Sequence, residues 1–209
     1  MTPLSLKRPG ISDLVPGFEA ESELERWITS DPALLRGLAW KVNHPGHPES
    51  RVGLHVASIL DRITAAGRRR ADLRFVAIVH DSFKQHVNPT AGYSRDNDHA
   101  VLAARFARRY TADRRVLDAI ELHDEAYWIW HHGGPGVAAL LARVADASLL
   151  VEFIQLDAST EGKDPNFLWW LRRQPAVRRM REKFVPNFVP DRANVTVAGA
   201  AQPGQIWLT

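Results

Sequence analysis

Residues 75–86, FVAIVHDSFKQH, end an apolar run on an adjacent imidazole and carboxylate, His80 and Asp81, with Lys84 one turn further on. A buried ionisable pair is costly unless a partner or a metal ion satisfies it. The stretch from Ala71 to Lys84, ADLRFVAIVHDSFK, reads as a helix, and its neighbours repeat the helical period. Upstream, SRVGLHVASILDRITAAG sets Val52, Val56, Ile59 and Ile63 at helical spacing, with Gly67 as a stop. Downstream, the turn-rich QHVNPTAGYSRDND precedes DHAVLAARFARRY and ADRRVLDAIELHDEAYWIW, two amphipathic helices joined near Thr111. HHGGPG breaks the pattern, and Pro135 opens one long helix, VAALLARVADASLLVEFIQL.

Two further helices precede this block. One lies around residues 21–29, and the next is capped by Asp31 with Pro32 in its first turn. The loop AWKVNHPGHPES, holding His44 and His47, separates them from the rest. A second loop, DASTEGKDPN, leads to a Trp-rich helix around residues 167–173, and Pro175 starts another. After about Val185 the periodicity is lost and an irregular tail is expected. No segment offers paired strands, so the class is all-α.

The 209 residues suit one domain, 1–209, with a core over about 44–156 and C-terminal helices and tail over about 164–209. The chain has no cysteine, which removes disulfides, thiolate ligands and a cysteine nucleophile together. Any metal must therefore be held by His, Asp or Glu. The N-terminal MTPLSLKRPG does not read as a signal peptide, and no window is apolar enough for a membrane helix. A cytoplasmic protein without a membrane partner is the expectation. The net charge is +3, and the clusters Arg68–Arg70 and Arg178, Arg179 and Arg181 read as solvated helix ends. No nucleic-acid polymer signature accompanies them.

Polar residues on apolar helical faces carry the chemistry. His55 lies with Val52, Ile59 and Ile63; His80 and Asp81 close the next helix; His99 begins the following one. His123 shares a face with Val116, Ile120 and Tyr127, and Asp146 with Leu149, Leu150 and Phe153. Singly, each is most simply a core residue bonded to a carbonyl. Together, four imidazoles and two carboxylates would need separate buried partners, whereas one metal site satisfies them all.

The ordered set His55, His80–Asp81, Asp146 resembles the H…HD…D signature of the HD-domain superfamily of helical metal-dependent phosphohydrolases. His99 and His123 resemble the two extra histidines of its binuclear subgroup, and HDSFK resembles the HD-x-x-K version. The resemblance covers roughly residues 44–156. Binuclear relatives often carry His-His where this chain has His123–Asp124, so the role of Asp124 is open. The resemblance implies a metal set of His55, His80, Asp81, His99, His123 and Asp146, with Asp81 bridging. One or two divalent ions (Mn, Fe, Co, Ni, Zn or Mg) fit such donors. It implies hydrolysis of a phosphoester or phosphoanhydride by a metal-activated water, in a small anionic phosphorylated substrate such as a nucleotide.

Around that set, Lys84 reads as a phosphate contact or a partner for transition-state charge. Asp124, with Glu125, reads as an orienting group or general acid. Arg51 and Lys163 are candidates for substrate contact. Trp128, Trp130, Trp169 and Trp170 read as packing, although Tyr127 or Trp128 would be placed to touch a purine or sugar. Two other activities share these donors: a di-iron oxygenase acting on a diol or phosphonate, and a non-catalytic metal-containing nucleotide-binding module. Self-association is left open.

Overall fold

The computed structural model describes residues 9–41, 50–67 and 70–181. His44 and His47, Arg68 and Arg69, and the tail after Val185 lie outside the described residues. The fold is all-α, and the β pairing among the described residues is one bridge between Lys41 and Arg51. No helix of the described residues is long and apolar enough to cross a membrane.

The chain begins with α1 (Ile11–Leu14), α2 (Glu23–Ile28) and α3 (Pro32–Ala39). Side-chain oxygens of Ser22 and Asp31 cap α2 and α3 by accepting from Glu25 N and Ala33 N, satisfying amides that have no intrahelical acceptor. Next come α4 (Val52–Ala65), which runs out towards Gly67 at φ +65°, and α5 (Ala71–Val79). Every residue of α5 from Leu73 to Val79 is buried. A helix buried on every side belongs at the centre, and α5 packs against α4, α6 (His99–Ala107), α7 (Arg114–Glu121) and α10 (Ala147–Asp157). That central position is why His80 and Asp81, at its end, are 1% and 2% exposed.

Two expected helices are each broken in two. ADRRVLDAIELHDEAYWIW folds as α7 and α8 (Glu125–His132), with a turn over residues 122–124. The long helix after Pro135 folds as α9 (Gly136–Leu141) and α10, separated by residues 142–146. Asp146 makes the second break, because its carboxylate accepts from Ser148 N and Leu149 N and starts a new helix. The chain closes with α11 (Pro165–Arg173) and α12 (Pro175–Arg181), which pack with α8 and α9 beside the central bundle.

The N-terminal segment is fastened by charge as well as by apolar contact. The buried Arg74 of α5 forms a two-point pair with the buried Glu25 of α2, Nε–Oε1 at 2.8 Å and Nη2–Oε2 at 3.0 Å. It also donates to the carbonyl of Glu19 at 2.9 Å.

Candidate metal centre

Three helix ends and one helix interior meet at one place. His55 comes from the first half of α4, His80 and Asp81 from the C-terminal end of α5, His99 from the first residue of α6, and His123 from the turn after α7. The carboxylate of Asp81 lies between two sets of imidazoles. Its Oδ2 is 3.4 Å from His80 Nε2 and 3.9 Å from His55 Nε2. Its Oδ1 is 3.3 Å from His99 Nε2 and 3.5 Å from His123 Nε2, and those two nitrogens are 3.4 Å apart. Donors about 2.1 Å from one ion stand roughly 3.0–3.4 Å from each other. His55, His80 and Asp81 form one group that could hold a metal ion, and Asp81, His99 and His123 form another.

The helix ends explain the ring orientations. Carbonyls in the last turn of a helix lack an intrahelical partner. His80 Nδ1 donates to the carbonyl of Ala77 at 3.0 Å, and His123 Nδ1 donates to that of Ile120 at 2.8 Å. Because a carbonyl only accepts, each ring carries a proton on Nδ1 and turns Nε2 toward Asp81. Buried His80 Nε2 and Asp81 Oδ1 make no hydrogen bond among the described residues. Buried polar atoms in that condition suit a cation between them.

The electrostatics point the same way. Burial lowers the His80 pKa despite the pull of Asp81, which favours the neutral, ligating imidazole. For Asp81, burial is outweighed by the imidazoles of His80 and His123 that face it and by the Lys84 ammonium, so its carboxyl lies well below the usual range. His99 is pushed up to about 9: burial opposes its charge, but the carboxylates of Asp124 and Asp81 beside it favour it. His123 is raised too, with burial again outweighed by Asp124 and Asp81. A metal ion would replace these protons.

Two carboxylates complete the arrangement. Asp124, half exposed, lies 3.2 Å from His99 Nε2 and 3.5 Å from His123 Nε2, close enough to share whatever they bind. Asp157, the last residue of α10, sets Oδ1 2.8 Å from His55 Nε2. Burial favours protonation of Asp157, but the charges of Lys163 and His55 prevail and depress its pKa.

Asp146, expected among the donors, is instead spent on capping α10. It stands at the opposite end of that helix from Asp157, roughly 16 Å away at 1.5 Å per residue. The signal for Asp157 is in the sequence, since Leu150, Phe153 and Asp157 follow one another at spacings of three and four on the buried face of α10. The signal for Asp146 as a cap is there too: an Asp directly before an apolar periodic run.

Of the expected substrate contacts, Lys84 lies in the cluster, its Nζ 2.6 Å from Asp81 Oδ2. Lys163 also joins it, 3.4 Å from Asp157 Oδ1, and the charges of Asp157, Asp81 and Asp124 outweigh burial in raising its pKa. Arg51 precedes α4 by one residue and donates through Nη2 to the Asp13 carbonyl at 3.4 Å, on the α1 side. A separate cleft of about 230 Å³ lies near the start of α5. Among its walls, Glu25, Asp72 and Arg115 already pair with Arg74, Arg70 and Asp113. In comparisons with protein-family models, with curated proteins and with solved structures, the chain matches none.

Proposed function

We propose that the chain is a metal-dependent phosphohydrolase of the HD type, acting on a small phosphorylated anion. The observation that carries this reading is the Asp81 carboxylate, with one oxygen toward His55 and His80 and the other toward His99 and His123. Such an arrangement suits two divalent ions, with Asp157 added to the first group and Asp124 to the second. When bound, such ions supply Lewis acidity and a water acidified to near neutral pH, about 7.

The chain's own groups divide the remaining work. The imidazoles and carboxylates hold the charge in a largely dry site, where electrostatic interactions are strong. Lys84 and Lys163 bring two ammonium groups to the same cluster, a charge pattern matched to a phosphoryl group. Asp124, the half-exposed carboxylate beside His99, would help hold the second ion and orient the attacking water. No side-chain nucleophile is needed.

The experiment is elemental analysis of protein purified anaerobically, alongside phosphate release from a panel of phosphate esters in air and in argon. The reading expects one or two equivalents of divalent metal and release that is indifferent to oxygen. Two irons, no hydrolysis and oxygen uptake with a diol or phosphonate would replace it with the oxygenase.

A further inference from the structure

Two of the three imidazoles brought in by helix ends are aimed by main-chain carbonyls, His80 by Ala77 and His123 by Ile120. His99 is held differently. Among the described residues no carbonyl takes its Nδ1, and its ring meets His123, Asp81 and Asp124 through Nε2. The direction of this ring therefore comes from its own backbone. Since His99 is the first residue of α6, the segment before it sets that backbone.

The segment is a loop closed on itself by one side chain. The Asn97 carboxamide bonds both main-chain groups of Asn88, its Oδ1 accepting from Asn88 N at 2.7 Å and its Nδ2 donating to Asn88 O at 2.9 Å. The same Nδ2 lies 3.4 Å from the carbonyl of Ala91. Residues 88–97 thus have their ends in contact, as in a compact Ω-loop. Asp98 follows directly and starts α6, its carboxylate accepting from Ala100 N at 2.9 Å and Val101 N at 3.4 Å.

Two ion pairs fasten the outside of this loop. Asp96 pairs with Arg105 of α6, and Arg95 pairs with Glu121, the last residue of α7. The other oxygen of Glu121 takes Arg108, just past the end of α6. Glu121 stands two residues before His123, so the loop that ends at His99 is also tied to the helix that delivers His123. The arginines of these pairs are largely exposed, and each pair contributes little. The neutral Asn97 clasp, with its three contacts, is the firmer fastening.

We propose that Asn97 is a positioning residue for the group Asp81, His99 and His123: its clasp fixes the loop end from which His99 reaches Asp81. This rests on the metal-binding part of the proposed function and holds for either chemistry that the metals could support. His55 and His80 come from α4 and from the end of α5, outside the loop, so the first group does not depend on the clasp. The second ion can then be lost while the first stays bound.

The test is manganese(II) binding to the metal-stripped full chain by equilibrium dialysis. Wild-type protein is expected to take up two ions. Asn97→Ala should weaken the second about 10–100-fold, the usual cost of removing a group that orients a ligand, and leave the first unchanged. Asn97→Asp keeps the acceptor for Asn88 N but loses the donors, and should fall between. Arg95→Ala should cost less than Asn97→Ala. Leu171→Ala, destabilised in α11, should bind both ions as the wild type does, which separates positioning from general loss of stability. Amide hydrogen exchange on metal-free protein gives a second readout: Asn97→Ala should speed exchange at Ala100 and Val101 and not in α4.

Unchanged binding of both ions in Asn97→Ala, equal weakening of both, or unchanged exchange at Ala100 and Val101 overturns the proposal. So does a wild-type protein that takes up a single ion. Selective loss of the second ion in Asn97→Ala, in a protein that releases no phosphate from any ester, supports the positioning role and removes the hydrolase reading.

Discussion

A Cβ atom placed on Gly37 would stand 1.8 Å from the carbonyl oxygen of Ser82, the residue directly after Asp81. Helix α3 therefore lies against the backbone of the turn that presents the central carboxylate. In an open helix Gly→Ala gains about 1 kcal/mol, but here the backbone must move. Gly37→Ala is expected to destabilise the protein by ~1–3 kcal/mol and to lower its metal content. Gly53, whose Cβ would meet the Leu14 carbonyl at 2.3 Å, seats α4 in the same manner. Thermal unfolding with elemental analysis tests this, using Leu171→Ala in α11 as a destabilised variant that keeps its metal. Full metal in Gly37→Ala would show that α3 does not set the Asp81 turn.

Asp157 and Asp146 give opposite expectations from one helix. Asp157→Asn should remove metal from the His55 side of the cluster with little loss of helix. Asp146→Ala should cost about 1 kcal/mol as a lost cap and leave metal bound. Metal stoichiometry and urea midpoints for the two variants decide between them. Retained metal in Asp157→Asn, with loss in Asp146→Ala, would reverse the assignment.

Arg74 and Glu25 are both buried, so removing one charge strands the other. Arg74→Met is expected to cost ~3–5 kcal/mol, while the double replacement Arg74→Met with Glu25→Leu recovers much of it. Denaturant unfolding of the two variants measures this. A double variant no better than the single one would mean that the loss comes from packing and from the Glu19 contact.

Alkaline stability depends on a different pair. Tyr110 donates its hydroxyl proton to Asp31 Oδ2 at 2.5 Å, and Arg109 adds a second contact at 2.8 Å. Burial and the Asp31 charge together raise the phenol from 10.0 to about 12. The folded state therefore holds the proton more tightly than the unfolded chain, so this contribution is complete below about pH 10 and is lost as pH rises toward 12. Tyr110→Phe should remove about 1.5 kcal/mol at neutral pH and flatten the decline between pH 10 and 12. Stability curves of equal slope would detach Tyr110 from the alkaline limb.

The imidazoles were legible because each stands in an apolar periodic face where a polar side chain needs a reason. Helix existence was legible on the same basis, and the capping of α3 by Asp31 is as expected. The breaks at residues 122–124 and 142–146 were not, because amphipathic periodicity runs straight through both. The choice between Asp146 and Asp157 turned on that point. With one long helix assumed, Asp146 lies on its apolar face and Asp157 falls in the loop DASTEGKDPN that follows, whereas the cap geometry moves Asp146 to the helix start and the helix runs on through Asp157. Gly37 was silent as well, since nothing local in PALLRGLA reports which backbone approaches it.

The Nδ1 bonds of His80 and His123 also bear on speed. A free imidazole exchanges its proton between nitrogens and rotates about χ2, so an arriving ion must wait for the productive form. These two rings are already fixed by the carbonyls of Ala77 and Ile120. Their share of the capture step requires no rotation and no tautomer exchange, leaving water loss from the ion and proton release from His99 and His123 to set the pace.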